Sequence, residues 1–276
     1  MMQWLQAFRK TLPKHKYAIN AKLLGDHSEC AWSNLGFWQG ATRSYPQACQ
    51  QLAEQLAQAV ELTAVDCVLD LGCGQGASLN HWLQHDQIDE LYAVELQPEC
   101  VHKIQQQFAG QLTIYCQSFL NLKQLNFTQQ PDVVLCIDAA YHSALDLFLD
   151  SVSAVLNSTG RLGFHYLMLS EQWQNLDRLQ RKKYHYLLKA ADVDLTHLAQ
   201  QQDYIQILQQ YAFEQIEIID ISQQVLHGFS NYVESLVQQR QIDRLGLFKI
   251  RMTAKLCAKL YQDGLVRYVQ ISAVKQ

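Results

Sequence analysis

The chain has 276 residues, of which 49% are hydrophobic and 17% charged, enough for one large or two small domains with a buried core. A formal net charge of -4 excludes the electrostatic footprint of a protein that grips a phosphate backbone, so no nucleic-acid partner is expected. Four prolines and 12 glycines are few for this length, which predicts mostly regular helix and strand, with glycine kept for places where the backbone needs it.

Residues 1–44 form an N-terminal segment ahead of the periodic part of the chain. Its start is amphipathic, with Trp4, Leu5, Phe8 and Leu12 set against Arg9, Lys10, Lys14 and Lys16, and reads as a helix packed on the domain. Neither a signal-peptide core nor a run of about 18 apolar residues is present, so no integral membrane segment is expected. From residue 45 the rhythm is regular. A helix over 45–62 carries Ala48, Leu52, Leu56 and Val60 at the helical period, and 67–71 is a short buried strand. A helix at 78–83, a strand at 91–96, a helix at 98–108 and a strand at 112–116 follow. Then come a strand at 132–137, a helix at 144–156 and a strand at 161–169. Strands and helices alternating at these lengths imply right-handed crossovers and a mostly parallel sheet covered on both faces. The pattern breaks at 170–210, which is polar, helical and glutamine-rich, and reads as a helical substrate-cover insertion in a domain spanning 45–276. A strand at 213–221, a long helical stretch at 229–260 and a last strand at 266–274 complete the chain. The eight cysteines are scattered without a CxxC pair or Cys/His ligand spacing, so reduced thiols of a cytoplasmic protein are expected and no metal site.

Asp70-Leu-Gly72-Cys73-Gly74-Gln-Gly76 lies where a buried strand gives way to a helix, the ligand crevice of an open parallel sheet. Glycines there let the backbone approach a ligand closely, and the helix N-terminus beyond them offers free amides. Glu95 ends the next strand and can accept both hydroxyls of a ribose. Residues 72–77 also satisfy the loose GxGxxG/A pattern of dinucleotide-binding proteins, but that pattern does not call for Asp70, a carboxylate placed beside the loop where it can hold a cationic group.

Taken together, the residues at 68–76 and Glu95 resemble the first two motifs of class I S-adenosylmethionine-dependent methyltransferases, and the likeness extends in order over 34–169. Asn34-Leu-Gly-Phe37-Trp38 resembles the segment that small-molecule members of the sarcosine/dimethylglycine, tocopherol and ubiquinone-type branch fold over the cofactor. The resemblance implies a Rossmann-like seven-stranded α/β sheet with a reversed last strand, and S-adenosyl-L-methionine as cofactor. It would be held by Asp70, Gly72, Cys73, Gly74, Gly76, Glu95, Leu96, Gln117, Ser118, Phe119 and Asp138. Two departures stand out: Ser158 and Thr159 replace a proline and a glycine in the turn before the fifth strand, and Gln117-Ser118 stands where an acidic residue often holds the adenine amine.

The chemistry is expected after the fourth strand, at Asp138-Ala-Ala-Tyr141-His142. Methyl transfer is an in-line displacement, so the protein must align donor and acceptor and remove a proton from a hydroxyl or amine. His142 is the candidate base, since its ordinary pKa lies near neutrality, and Tyr141 is expected beside the methyl path. Phe37, Trp38, His165 and Tyr166 are expected to contact the substrate. The prolines of the D-P-P-Y signature of base-modifying methyltransferases are missing at 139 and 140, which again argues against nucleic acid. The expectation is therefore methylation of an O or N atom of a small organic acceptor with a hydrophobic or aromatic body, by an enzyme whose chain leaves a homodimer open. The rivals are C-methylation of an isoprenoid, sterol or quinone-like lipid, a nicotinamide-dependent oxidoreductase, and a cofactor-binding module without catalysis.

Overall fold

The computed structural model describes residues 20–40, 42, 44–239 and 247–276. The amphipathic helix expected near the start falls on residues outside these. After a short 3-10 turn, Ala21–Leu24, the chain enters helix α1 (Tyr45–Ala59). Ser44 caps it through its side chain, proline occupies its first turn, and Ala48, Leu52 and Leu56 are fully buried, as their spacing of four requires.

The remaining elements are β1 (Cys67–Leu71), α2 (Ala77–Gln84), β2 (Glu90–Glu95), α3 (Pro98–Gln107), β3 (Thr113–Cys116), β4 (Val133–Cys136), α4 (Leu145–Ser153), β5 (Arg161–Leu169), α5 (Arg178–Ala190), α6 (Gln201–Gln210), β6 (Phe213–Asp220), α7 (Gly228–Gln239), α8 (Phe248–Asp263) and β7 (Val266–Lys275). They build one seven-stranded sheet in the order β3-β2-β1-β4-β5-β7-β6. Strands β1 to β5 run parallel, and β7 is inserted antiparallel between β5 and β6. The expected reversed last strand is therefore present.

Strand β1 is buried along its whole length because helices cover both faces. Its alternate residues divide between two apolar layers. Val68 packs with Ala93, Val133 and Leu135 toward α1, α2 and α3, whereas Leu69 and Leu71 pack with Val94, Val134 and Cys136 toward the face covered by α4. From β1 the chain moves outward to β2 and β3, then returns to place β4 on the other side of β1. That reversal opens a crevice at the carboxyl ends of β1 and β4, where a loop from each strand can diverge and leave room for a ligand.

Two sequence expectations change in detail. The helical stretch expected at 229–260 is two helices, α7 and α8, entered through a π-helical turn at Gln223–His227. The cover expected at 170–210 also divides. Residues 188–193 reach the crevice, but α6 serves the sheet: Tyr204 donates from its hydroxyl to the Leu167 carbonyl (2.8 Å), Leu208 is fully buried, and the helix leads directly into β6. It is a crossover helix, and its apolar stripe faces strands rather than substrate. No helix among the described residues is long and apolar enough to cross a membrane.

Candidate active site

A cavity of about 720 Å³ occupies the crevice, within the range of roughly 300–1,000 Å³ usual for small-molecule sites. Its floor is the loop after β1. Gly72 turns with a φ of +74°, and a Cβ there would meet the Ala139 side chain at 3.0 Å, so this position needs glycine for both its conformation and its space. The Gly74 amide donates to Glu95 Oε2 (2.9 Å), and the Gln97 amide donates to Glu95 Oε1 (2.8 Å). Glu95 is thus a buried carboxylate that draws two loops together at the end of β2, while each oxygen keeps a further lone pair for a ligand hydroxyl.

Asp70, at the end of β1, lines the same cavity. Its Oδ2 accepts the Trp82 indole N–H from α2 at 2.7 Å. Burial pushes its carboxyl up to about 6, against the lowering effect of the Ser78 and Trp82 hydrogen bonds, and the nearby Glu95 charge adds to the rise. At the end of β4, Asp138 holds a left-handed φ of +55°, which aspartate tolerates better than most residues. Its Oδ1 accepts the hydroxyls of Tyr141 and Tyr268, each at 2.8 Å, and its Oδ2 accepts the Leu35 amide at 3.1 Å. Burial raises this carboxyl to about 6 as well, with all three hydrogen bonds pulling the other way. Burial and the Asp138 charge keep both phenols protonated.

The Leu35–Asp138 bond ties the N-terminal segment over the crevice, and residues 31–35 line the cavity. Buried Asp26 holds the approach to this segment by accepting the Trp32 amide (2.8 Å), and the Asn34 carbonyl accepts the Tyr45 hydroxyl (2.7 Å). Gly36 then packs so close to α1 that a Cβ would sit 2.6 Å from the Ala48 side chain. This close approach sends the following residues away from the cavity. Phe37 is buried, with its amide donating to the Ala48 carbonyl, and Trp38 stacks on Tyr232 at 4.3 Å. The substrate contacts expected of Phe37 and Trp38 are therefore not made at this cavity; Asn34 and Leu35, just before the glycine, are the ones that reach it.

Other expectations divide similarly. Cys73, Leu96, Ser118, Phe119, Tyr141 and His142 all line the cavity. Gly76 does not, because it lies against Ile104 and Phe108 of the α3 region. Gln117 also stays off the wall: its side-chain oxygen accepts the Ser118 amide (3.0 Å). His165 and Tyr166 sit inside β5, fully buried and away from the cavity. His165 faces Gln270 across the β5–β7 pair, and burial drives its imidazole down to about 3, so it is neutral; the Tyr166 hydroxyl donates to the Ser143 carbonyl at 2.6 Å. These two are core residues. Within the 170–210 cover, Leu188 reaches the cavity, whereas Tyr186 is exposed and Tyr184 is engaged with Asp263.

Sequence reasoning missed Tyr268 on β7 and Thr253, Leu256, Cys257 and Leu260 on α8, all of which line the cavity. Tyr268 sits in an apolar strand, and the α8 residues show only ordinary helical periodicity. The His142 Nδ1 is 3.1 Å from the Asp192 carbonyl, which can only accept, so Nδ1 carries a hydrogen.

Residues 69–162 match a family described as a methyltransferase domain. The chain is 33% identical over 93 residues to the erythromycin 3''-O-methyltransferase of Saccharopolyspora erythraea, an alignment covering 32% of this chain and 30% of that protein. It is 35% identical over 124 residues to the malonyl-[acyl-carrier protein] O-methyltransferase of Herminiimonas arsenicoxydans, covering 43% and 44%. The matched region thus spans less than half the length of either relative. Among solved structures, the fold is similar to that of geranyl diphosphate C-methyltransferase from Streptomyces coelicolor A3(2), with a TM-score of 0.71 at 14% identity over 98% of this chain and 96% of that one. Residues 69–162 thus carry a methyltransferase domain, and the sheet order, the glycine loop and the acid ending β2 are those of the class I, S-adenosylmethionine-dependent fold.

Proposed function

We propose that the protein transfers a methyl group from S-adenosylmethionine to an oxygen or nitrogen of a small, uncharged acceptor with a hydrophobic or aromatic body. The observation that carries this reading is the polarity of the single continuous cavity. One part is built from the glycine loop, Glu95 and two buried carboxylates; another is walled by Leu167, Leu188, Val193, Leu226, Leu256 and Leu260, and His142 lines the same cavity. Lys103 is the one Lys or Arg among the described lining residues, and it belongs to α3, where it donates to the Glu29 carbonyl. An acceptor carrying a phosphate or diphosphate would find no cation in the apolar part.

The donor set fits the cofactor. Glu95 has lone pairs for vicinal hydroxyls, Asp70 and Asp138 bring negative charge for cationic centres, and Leu96 stands 61% exposed at the rim, where a flat ring can cover it. Phe119 and Ser118 supply an apolar face and a polar edge beside it. When bound, S-adenosylmethionine supplies a methyl group made electrophilic by its positive sulfur. The protein's tasks are then alignment, exclusion of water and proton removal. Segment 31–35, latched by the Leu35–Asp138 bond, excludes water from one side, and residues 188–193 with α8 do so from the other. Tyr141 and Tyr268, both locked onto Asp138, shape the cavity wall beside it. His142 accepts the acceptor's proton as the oxygen or nitrogen gains its methyl.

Two observations favour O- or N-methylation over C-methylation of a lipid: an imidazole that can serve as base lines the cavity, and both curated relatives are O-methyltransferases. The test is methyl transfer from labelled S-adenosylmethionine to a panel of neutral phenols, aliphatic alcohols and amines, set against isoprenoid diphosphates and quinone precursors. Turnover confined to the neutral O and N acceptors supports the reading; turnover confined to carbon acceptors overturns it.

A further inference from the structure

The last turn of α2 and the residue pair after it bring together two imidazoles and a carboxylate that are not among the residues lining the catalytic crevice. His81 is 7% exposed, and its Nε2 lies 3.6 Å from Asp86 Oδ2. That distance is too long for a hydrogen bond, and neither atom has any other hydrogen-bond partner although both are buried. Two polar atoms therefore face each other across a gap, an arrangement that costs free energy unless something fills it. His85 follows His81 by one helical turn. Its ring stacks on that of His81 at 4.7 Å, and its Nδ1 lies 3.4 Å from Asp86 Oδ1. One ligand atom from each of the three residues lies within 4.8 Å of the others.

We propose that His81, His85 and Asp86 form a binding site for a divalent transition-metal ion, with zinc the best match to two imidazoles and a carboxylate. Each imidazole faces one oxygen of the Asp86 carboxylate, at 3.6 and 3.4 Å, so an ion with metal–ligand bonds of about 2.0–2.2 Å can be reached by all three residues with small side-chain movements. His85, whose side chain is 59% exposed, has room to rotate toward a shared ion. The same exposure gives an ion its way in. The carbonyl end of a helix also favours a cation. Glu54, on α1, is close enough for its charge to act on His81 and to add to the attraction for a cation. The ion would fasten the end of α2, whose Trp82 holds Asp70 at the crevice, so the site is structural support for the loop end of the same helix.

In the sequence, the motif is a His pair four residues apart with an adjacent aspartate, a spacing distinct from the Cys/His ligand patterns of structural zinc sites. The test uses the full chain stripped of metal and titrated with Zn²⁺ by calorimetry and with Co²⁺ by visible absorption. Binding of one Zn²⁺ per chain is expected, weakened at least tenfold in both His85→Ala and Asp86→Asn, two changes outside the packed core. Co²⁺ should give d–d bands without a thiolate charge-transfer band. Failure to bind Zn²⁺, equal binding by the variants, or a thiolate band that persists in His85→Ala would overturn the proposal, the last by placing the ion on cysteine.

Discussion

Replacing Glu95 by Gln changes one oxygen to an amide nitrogen and almost nothing in shape, yet it strikes the point where two loops of the cofactor end converge. In the wild type, Oε1 and Oε2 each accept a backbone N–H, from Gln97 and Gly74. Hydrogen bonds to an ionised acceptor contribute about 1.5–3 kcal/mol and neutral ones about 0.5–1.5 kcal/mol, so the bond that survives weakens by about 1 kcal/mol. The other N–H meets an NH₂ group instead of an acceptor, and a buried donor left unpaired costs about 1–3 kcal/mol. The sum, about 2–4 kcal/mol, falls on the loop conformation that a ligand needs, and corresponds to roughly a 30- to 1,000-fold rise in dissociation constant. Calorimetric titration with S-adenosylhomocysteine measures it, and urea unfolding of the same variant checks that the fold persists. A dissociation constant within threefold of wild type in a folded variant would refute the assignment of Glu95 to the cofactor end.

Other outcomes follow from the same geometry. His142→Ala should lower kcat by about 10²–10⁴-fold while leaving S-adenosylhomocysteine affinity within twofold; undiminished turnover removes the base from the account. Burial raises the carboxyls of Asp70 and Asp138 to about 6, so the free folded protein holds protons between about pH 4 and 6 that the unfolded chain has released. Their stabilising contribution is present below about pH 4 and lost as pH rises through 6. A cationic ligand beside them expels those protons, so affinity for S-adenosylmethionine should rise by about tenfold per carboxylate between pH 5 and pH 7 and then level off; a flat profile by calorimetry contradicts their role. Gly228→Ala places a Cβ 2.4 Å from the Trp38 side chain, away from the cavity. It should cost about 1–3 kcal/mol in urea unfolding with ligand affinity unchanged, and an unaltered midpoint would show that Trp38 is not held as described.

The sheet was readable because its strands are short apolar runs between amphipathic helices, a signal that survives in β1, β4 and β5 since both their faces are buried. The reversal of β7 was not a matter of periodicity; it came from family resemblance. At the cavity, Gly72, Glu95 and Asp138 are legible as lining residues because they occupy fixed places at the ends of parallel strands. Errors arose where a side chain's direction depended on tertiary packing. His165 and Tyr166 were placed near substrate because they are polar residues late in β5, yet antiparallel pairing with β7 extends that strand and buries them. Phe37 and Trp38 lie beyond a glycine whose contact with α1 turns the chain away. Tyr268 and the α8 wall come from sequence more than 100 residues beyond the motif region, and only the folded chain brings them to Asp138.

The most direct test of the central claim is calorimetric titration of the purified chain with S-adenosylmethionine, S-adenosylhomocysteine and NAD in parallel. The account predicts one adenosyl ligand per chain for the first two and no binding of NAD. Binding of NAD, or failure of both adenosyl ligands to bind, would contradict it.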